Sequence, residues 1–192
     1  MARIFSRIVL CAVFCGLLTT LLHPCFARMY AMSIKSKSPG VKLLEFKTAK
    51  LEMNLPIGYK LCELPLGERT TYMFMGPDDK TERHAVLSVD EMVFSDKAKT
   101  CRGMLDNVFK AYGKGSVGFK SEIADPITVA GKTFEKGIFS GSIDGDNSKG
   151  LAFAVRLKKA FVVMVARDQD SGFKTSEKVM MGIVKSCKIK SE

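Results

Sequence analysis

The stretch Leu151-Ala-Phe-Ala-Val-Arg-Leu-Lys-Lys-Ala-Phe-Val-Val-Met-Val-Ala166 decides the fold class. Two apolar runs, Leu151–Leu157 and Ala160–Ala166, flank Lys158-Lys159, and this reads as two strands joined by a short basic turn. The second run is the most continuously apolar part of the chain after residue 27, which predicts a central strand. A helix is expected from about Thr175, with Val179, Met180, Ile183, Val184 and Cys187 on its buried side.

Upstream, Asp144-Gly-Asp-Asn-Ser-Lys-Gly150 reads as a polar turn. Thr133–Ile143 reads as a long strand, whose Gly137 and Gly141 predict bends or close backbone approach. Phe119–Ile123 and Ile127–Val129 are shorter extended runs. Before them the period changes: Ala98, Cys101, Met104, Leu105, Val108, Phe109 and Tyr112 recur at steps of three and four. Charged residues lie between them, so this is an amphipathic helix with Ser95 or Asp96 as its cap and Gly113 and Gly115 at its end. Such a stripe is first of all a face that packs on a sheet. Thr70–Met75 and Ala85–Phe94, joined through Gly76-Pro77-Asp78-Asp79, read as a hairpin, and Leu51-Met53-Leu55 alternates cleanly before Pro56.

Short turns between strands favour antiparallel pairing. The expectation is an α+β domain over residues 43–190: an antiparallel sheet of about six strands, covered by two amphipathic helices as an α/β/α sandwich. Residues 28–42, which include Ser33-Ile-Lys-Ser-Lys-Ser-Pro-Gly40, read as a flexible lead-in.

The first 27 residues speak to location. Arg3 and Arg7 precede an uninterrupted apolar run, Ile8–Leu22, and Cys25-Phe26-Ala27 supplies small residues at the exit. That is the layout of a secretory signal cut between Ala27 and Arg28. The apolar block, at about 15 residues, falls short of the roughly 20 needed to span a bilayer. The expected product is exported, periplasmic or secreted, with no integral membrane span after processing. Two of the 30 basic residues and none of the 20 acidic ones lie in residues 1–27, leaving 28 against 20, a formal +8. That balance favours an anionic partner: an acidic protein, a lipid headgroup or an envelope polymer. Nucleic acid is not expected, because export separates the chain from it and no binding motif is present.

The run Leu55-Pro56-Ile57-Gly58-Tyr59, the mid-chain helix after a hairpin, and the final helix leading to Ser186-Cys187-Lys188-Ile189-Lys190 together resemble the PsbP-like α/β/α sandwich. That family includes photosystem extrinsic proteins and bacterial DcrB-like envelope proteins. The resemblance covers most of residues 43–190 and implies a non-enzymatic role, with the sandwich presenting a surface to a partner. The aromatic at Tyr59 stands where that family often has tryptophan, which this chain lacks altogether.

Catalytic chemistry is sparse. Beyond residue 27 one histidine remains, His84, so a hydrolase would have to use it as base, and Ser88, Ser95 and Ser140 lack a Gly-x-Ser-x-Gly elbow. Cys62, Cys101 and Cys187 lack the close spacing of a redox pair or zinc knuckle. They allow one disulfide at most, and sequence leaves open whether any two pair. Asp144–Ser148 has Lys149 where a calcium loop needs its glycine, and Val155 where it needs glutamate. No metal, cofactor or enzymatic activity is therefore expected. The leading expectation is a binding protein using Lys97, Lys99, Lys110 and Lys114 beside the first helix, with the Lys158-Lys159 turn. The alternative is a carrier of an apolar ligand or lipid, with a pocket between helix and sheet lined by Met104, Phe109 and Phe161.

Overall fold

The computed structural model describes residues 33–77, 85–94, 99–143 and 145–191. The signal segment, the cut at Ala27 and Arg28, His84, Lys97 and Asp144 lie outside the described residues.

Among the described residues, eleven strands and two helices follow in the order β1 (Ser33–Ser36), β2 (Gly40–Glu45), β3 (Ala49–Leu55), β4 (Lys60–Leu66), β5 (Arg69–Met75), β6 (Val86–Val93), α1 (Cys101–Lys114), β7 (Ser116–Val129), β8 (Lys132–Ile143), β9 (Asp146–Arg156), β10 (Ala160–Gln169), α2 (Asp170–Lys185) and β11 (Lys188–Ser191). Eight strands form one sheet in the order β1-β4-β5-β6-β10-β9-β8-β7, and β11-β3-β2 form a second. Every pairing described is antiparallel.

The α+β class holds, but a single sheet of about six strands does not. The lead-in carries β1, which pairs with β4 through Ser33 and Glu63, and also the start of β2. The expected runs at 119–123 and 127–129 are one strand, β7, which passes through Pro126 by slipping register between Ala124 and Ile127. Proline is tolerated there because β7 is the sheet edge. Strand β9 begins at Asp146, inside the expected turn, and α2 begins at Asp170 rather than near Thr175. Residues 40–55 leave the main sheet and pair with the C-terminal β11, a long-range match that no local pattern announces.

Strands β9 and β10 do occupy the middle, and their alternation feeds two cores. Leu151, Phe153, Val155, Val162, Met164 and Ala166 face a large core with Leu44, Leu51, Met53 and Leu55 of the small sheet and Phe173, Met180, Ile183 and Val184 of α2. Ala152, Ala154, Phe161, Val163 and Val165 face the opposite side, where α1 supplies Met104, Leu105, Val108, Phe109 and Tyr112. Both faces are buried, so both strands read as continuous apolar runs. The helices thus lie on opposite faces, one of them sharing its face with the small sheet.

Candidate functional site

The basic residues sort themselves by what positions them. Strand β9 ends at Arg156, whose guanidinium lies 5.1 Å from the centre of the Phe94 ring. Phe94 in turn meets Phe161 edge-on at 4.8 Å. From that perch Arg156 Nη1 donates to the carbonyl of Lys99 at 3.5 Å. This contact brings the start of α1 to the β9–β10 turn, which is closed by the Leu157 N–H donating to the Ala160 carbonyl at 2.8 Å. Lys158 and Lys159 project from that turn, both exposed. Arg102, exposed in the first turn of α1, joins them, and no acidic residue stands in that turn.

Lys99, Arg102, Arg156, Lys158 and Lys159 therefore gather at one end of the molecule. Among the described residues no carboxylate forms an ion pair with any of them; the ion pairs described use Lys35, Lys47, Lys50, Lys149 and Lys190 elsewhere. Lys110 and Lys114 are also exposed, but farther along α1. At a rise of about 1.5 Å per residue they lie roughly 15–20 Å from its start, beyond the ~8 Å screening length at physiological salt. Of the six lysines expected to share one surface, Lys99, Lys158 and Lys159 come together, Lys110 and Lys114 lie apart and Lys97 lies outside the described residues; the denser group also includes Arg102 and Arg156. In sequence Arg156 stands inside the apolar run Leu151–Leu157, and its stacking partner, Phe94, is 62 residues away.

Met104, Phe109 and Phe161 do come together, all in the core under α1 and all buried. Their surroundings are filled with rings: Phe109 lies 6.2 Å from Phe139, and Tyr112 5.1 Å from the same ring. A separate cleft of about 590 Å³ opens between the β8–β9 turn and the start of α2, lined by Gly145, Asp146, Asn147, Gln169, Asp170 and Ser171. Its Asp170 pairs with Lys149 at 2.7 Å.

A second constellation was not foreseen. On the α1-side face of the sheet, away from α1 itself, β4, β5 and β6 align Cys62, Met73 and Ser88 in one cross-strand row, with Met75 in the next row. Thr71 and Asp90 lie on the same face, and the Thr71 hydroxyl donates to the Asp90 carboxylate. Thr71, Ser88 and Asp90 are three of the five buried polar side chains among the described residues. Alternation of Leu87 and Val89 with Ser88 and Asp90 suggests a wet face in sequence; the fold buries both. Cys62, Cys101 and Cys187 are all unpaired thiols. Burial raises each one's pKa, that of Cys187 to about 12.

Among the described residues no helix is long and apolar enough to cross a membrane. No family model and no curated protein matches the chain. Solved structures do. PA94 of Pseudomonas aeruginosa, a protein of unknown function, matches with TM-score 0.53 at 12% identity, over 77% of this chain and 95% of that one. CyanoP, the cyanobacterial PsbP of Synechocystis sp. PCC 6803, matches with TM-score 0.51 at 14% identity, over 73% of this chain and 86% of that one. The fold is PsbP-like. LpqN of Mycobacterium tuberculosis, involved in cell envelope biogenesis, gives 0.49 at 16% identity, covering 90% of this chain and 99% of that one. At these identities the PsbP-like likeness speaks to the architecture and leaves the role to the residues.

Proposed function

We propose that this chain is an exported, non-catalytic accessory protein that engages an anionic partner through the basic end of its PsbP-like domain. The observation that carries the reading is the cluster of Lys99, Arg102, Arg156, Lys158 and Lys159, which has no paired carboxylate among the described residues. Like charges held together repel one another, and a partner of opposite sign removes that cost. The start of α1 adds the positive end of a helix dipole to the same place. Export rests on the signal-like residues 1–27, and envelope residence on the same segment. The apolar-carrier reading draws less support, because Met104, Phe109 and Phe161 pack against neighbouring rings.

Capture from an envelope extract with the purified chain tests this. The doubly reversed Lys158→Glu/Lys159→Glu chain should lose at least tenfold in retention of the captured partner, since a rim charge acts mainly through encounter and salt dependence. Lys110→Glu should lose much less. Equal retention by the Lys158→Glu/Lys159→Glu chain would rule out this surface.

A further inference from the structure

We propose that Cys62, Met73 and Met75 form a binding site for a soft monovalent cation of the Cu(I) class, distinct from the basic end. Strand register places Cys62 directly opposite Met73 and sets Met75 two residues along on the same face. Cys62 Sγ lies 3.5 Å from Met75 Sδ. Two sulfurs bound at about 2.3 Å to one ion sit roughly 3.5–4 Å apart, so these two already stand at ligand spacing. The three residues are 1%, 1% and 7% exposed and form a cluster of their own with Leu64.

The donor set selects the ion. One thiolate and two thioethers are soft ligands, suited to Cu(I) and poor for hard cations. Among the described residues no group of three or more His, Cys, Asp and Glu could hold zinc. Charge points the same way. A monovalent ion on one thiolate is neutral overall, so the complex can stay buried, whereas a divalent ion would leave a net charge in a dry site. On binding, the Cys62 thiol gives up its proton to solvent as the sulfur–metal bond forms.

A second observation marks this place. Ser88 lies directly opposite Met73, is 3% exposed, and its hydroxyl makes no hydrogen bond among the described residues. The other four buried polar side chains each have one: Thr71 with Asp90, Ser148 with the Asp146 carbonyl, and Ser176 with the Phe173 carbonyl. A buried hydroxyl without a partner is uncommon and calls for a cause. A fourth, weak oxygen ligand beside the sulfurs supplies one. The ion would reach the site past β1, a four-residue edge strand with a register slip between Ile34 and Ser36, which can open locally.

The experiment titrates the purified full chain with Cu(I), held reduced, against a chromophoric Cu(I) chelator, with Ag(I) as a redox-inert second probe. The expected result is one equivalent withdrawn per chain. Cys62→Ser should weaken binding by on the order of 100-fold or more, and Met75→Leu and Met73→Leu by about tenfold each, at least the cost of losing a supporting group around a metal. Both leucine variants nearly conserve volume, so a native near-ultraviolet circular dichroism spectrum separates lost ligation from lost folding. Cys101→Ser and Cys187→Ser should bind as the parent does. No withdrawal of Cu(I), or equal affinity in Cys62→Ser, overturns the site; so does loss confined to Cys101→Ser, which would mean an adventitious thiol.

Discussion

Phe109 reaches the sheet because position 137 has no side chain. A Cβ there would stand 2.3 Å from Phe109 Cζ and 3.2 Å from the Glu122 carbonyl oxygen. Gly150 is tighter still, with Phe139 Cζ at 2.1 Å and the Ala166 carbonyl at 2.6 Å. Gly137→Ala is expected to destabilise the fold by about 1–3 kcal/mol through overpacking, read as a lower urea midpoint at unchanged slope. Pairing it with Phe109→Leu should recover part of the loss, since the clash and the ring are one contact. Cys187 offers a different residue-scale test. Burial holds its pKa near 12 against an ordinary value of 9.0. The folded state therefore keeps a proton that the unfolded chain gives up. Its stabilising contribution is full below about pH 9 and declines as pH rises toward 12. Stability of Cys187→Ala should fall less steeply over that window, and native Cys187 should resist alkylation at pH 8 while half-buried Cys101 reacts. Modification of both at equal rates would contradict the burial.

At the scale of the element, α1 shows what its sequence makes plain and what it hides. The apolar stripe was evident, and Met104, Leu105, Val108, Phe109 and Tyr112 are buried as the period requires. The cap was not: Thr100, rather than Ser95 or Asp96, accepts a hydrogen bond from the Gly103 N–H at 3.0 Å. Ser95 and Asp96 lie outside the described residues. Thr100→Ala should cost about 1 kcal/mol, visible as lower thermal stability and faster amide exchange in the first turn. Helix α2 contrasts with it. No side chain caps its start at Gln169; Asp170 instead meets the dipole there and pairs with Lys149. The first turn of α1 has Lys99 and Arg102 nearby and no acid, an arrangement that disfavours the isolated helix and favours an incoming anion.

At the scale of the whole molecule, the basic end makes its own prediction. Binding through exposed lysines should weaken steeply between about 50 and 500 mM salt, as the screening length contracts from more than 10 Å to less than 5 Å. The Lys158→Glu/Lys159→Glu chain should melt within a degree or two of the parent, because both side chains are exposed and form no ion pair among the described residues. Salt-independent affinity would mean that the partner is held by something else. What the sequence by itself determined is the part ruled by local period: the α+β class, β9 and β10 as strands with β10 central, and the packing face of each helix. Each follows from residues within a few positions of one another, where apolar alternation acts directly on the backbone. Only the tertiary structure decided that β1 and β11 are strands, that residues 40–55 build a second sheet, and that Arg156 carries Lys99 to the Lys158-Lys159 turn. It also brought Cys62, Met73, Met75 and Ser88 onto one buried face. Those outcomes depend on pairing between segments tens of residues apart, and the side-chain pattern of one strand does not encode which distant strand will lie beside it.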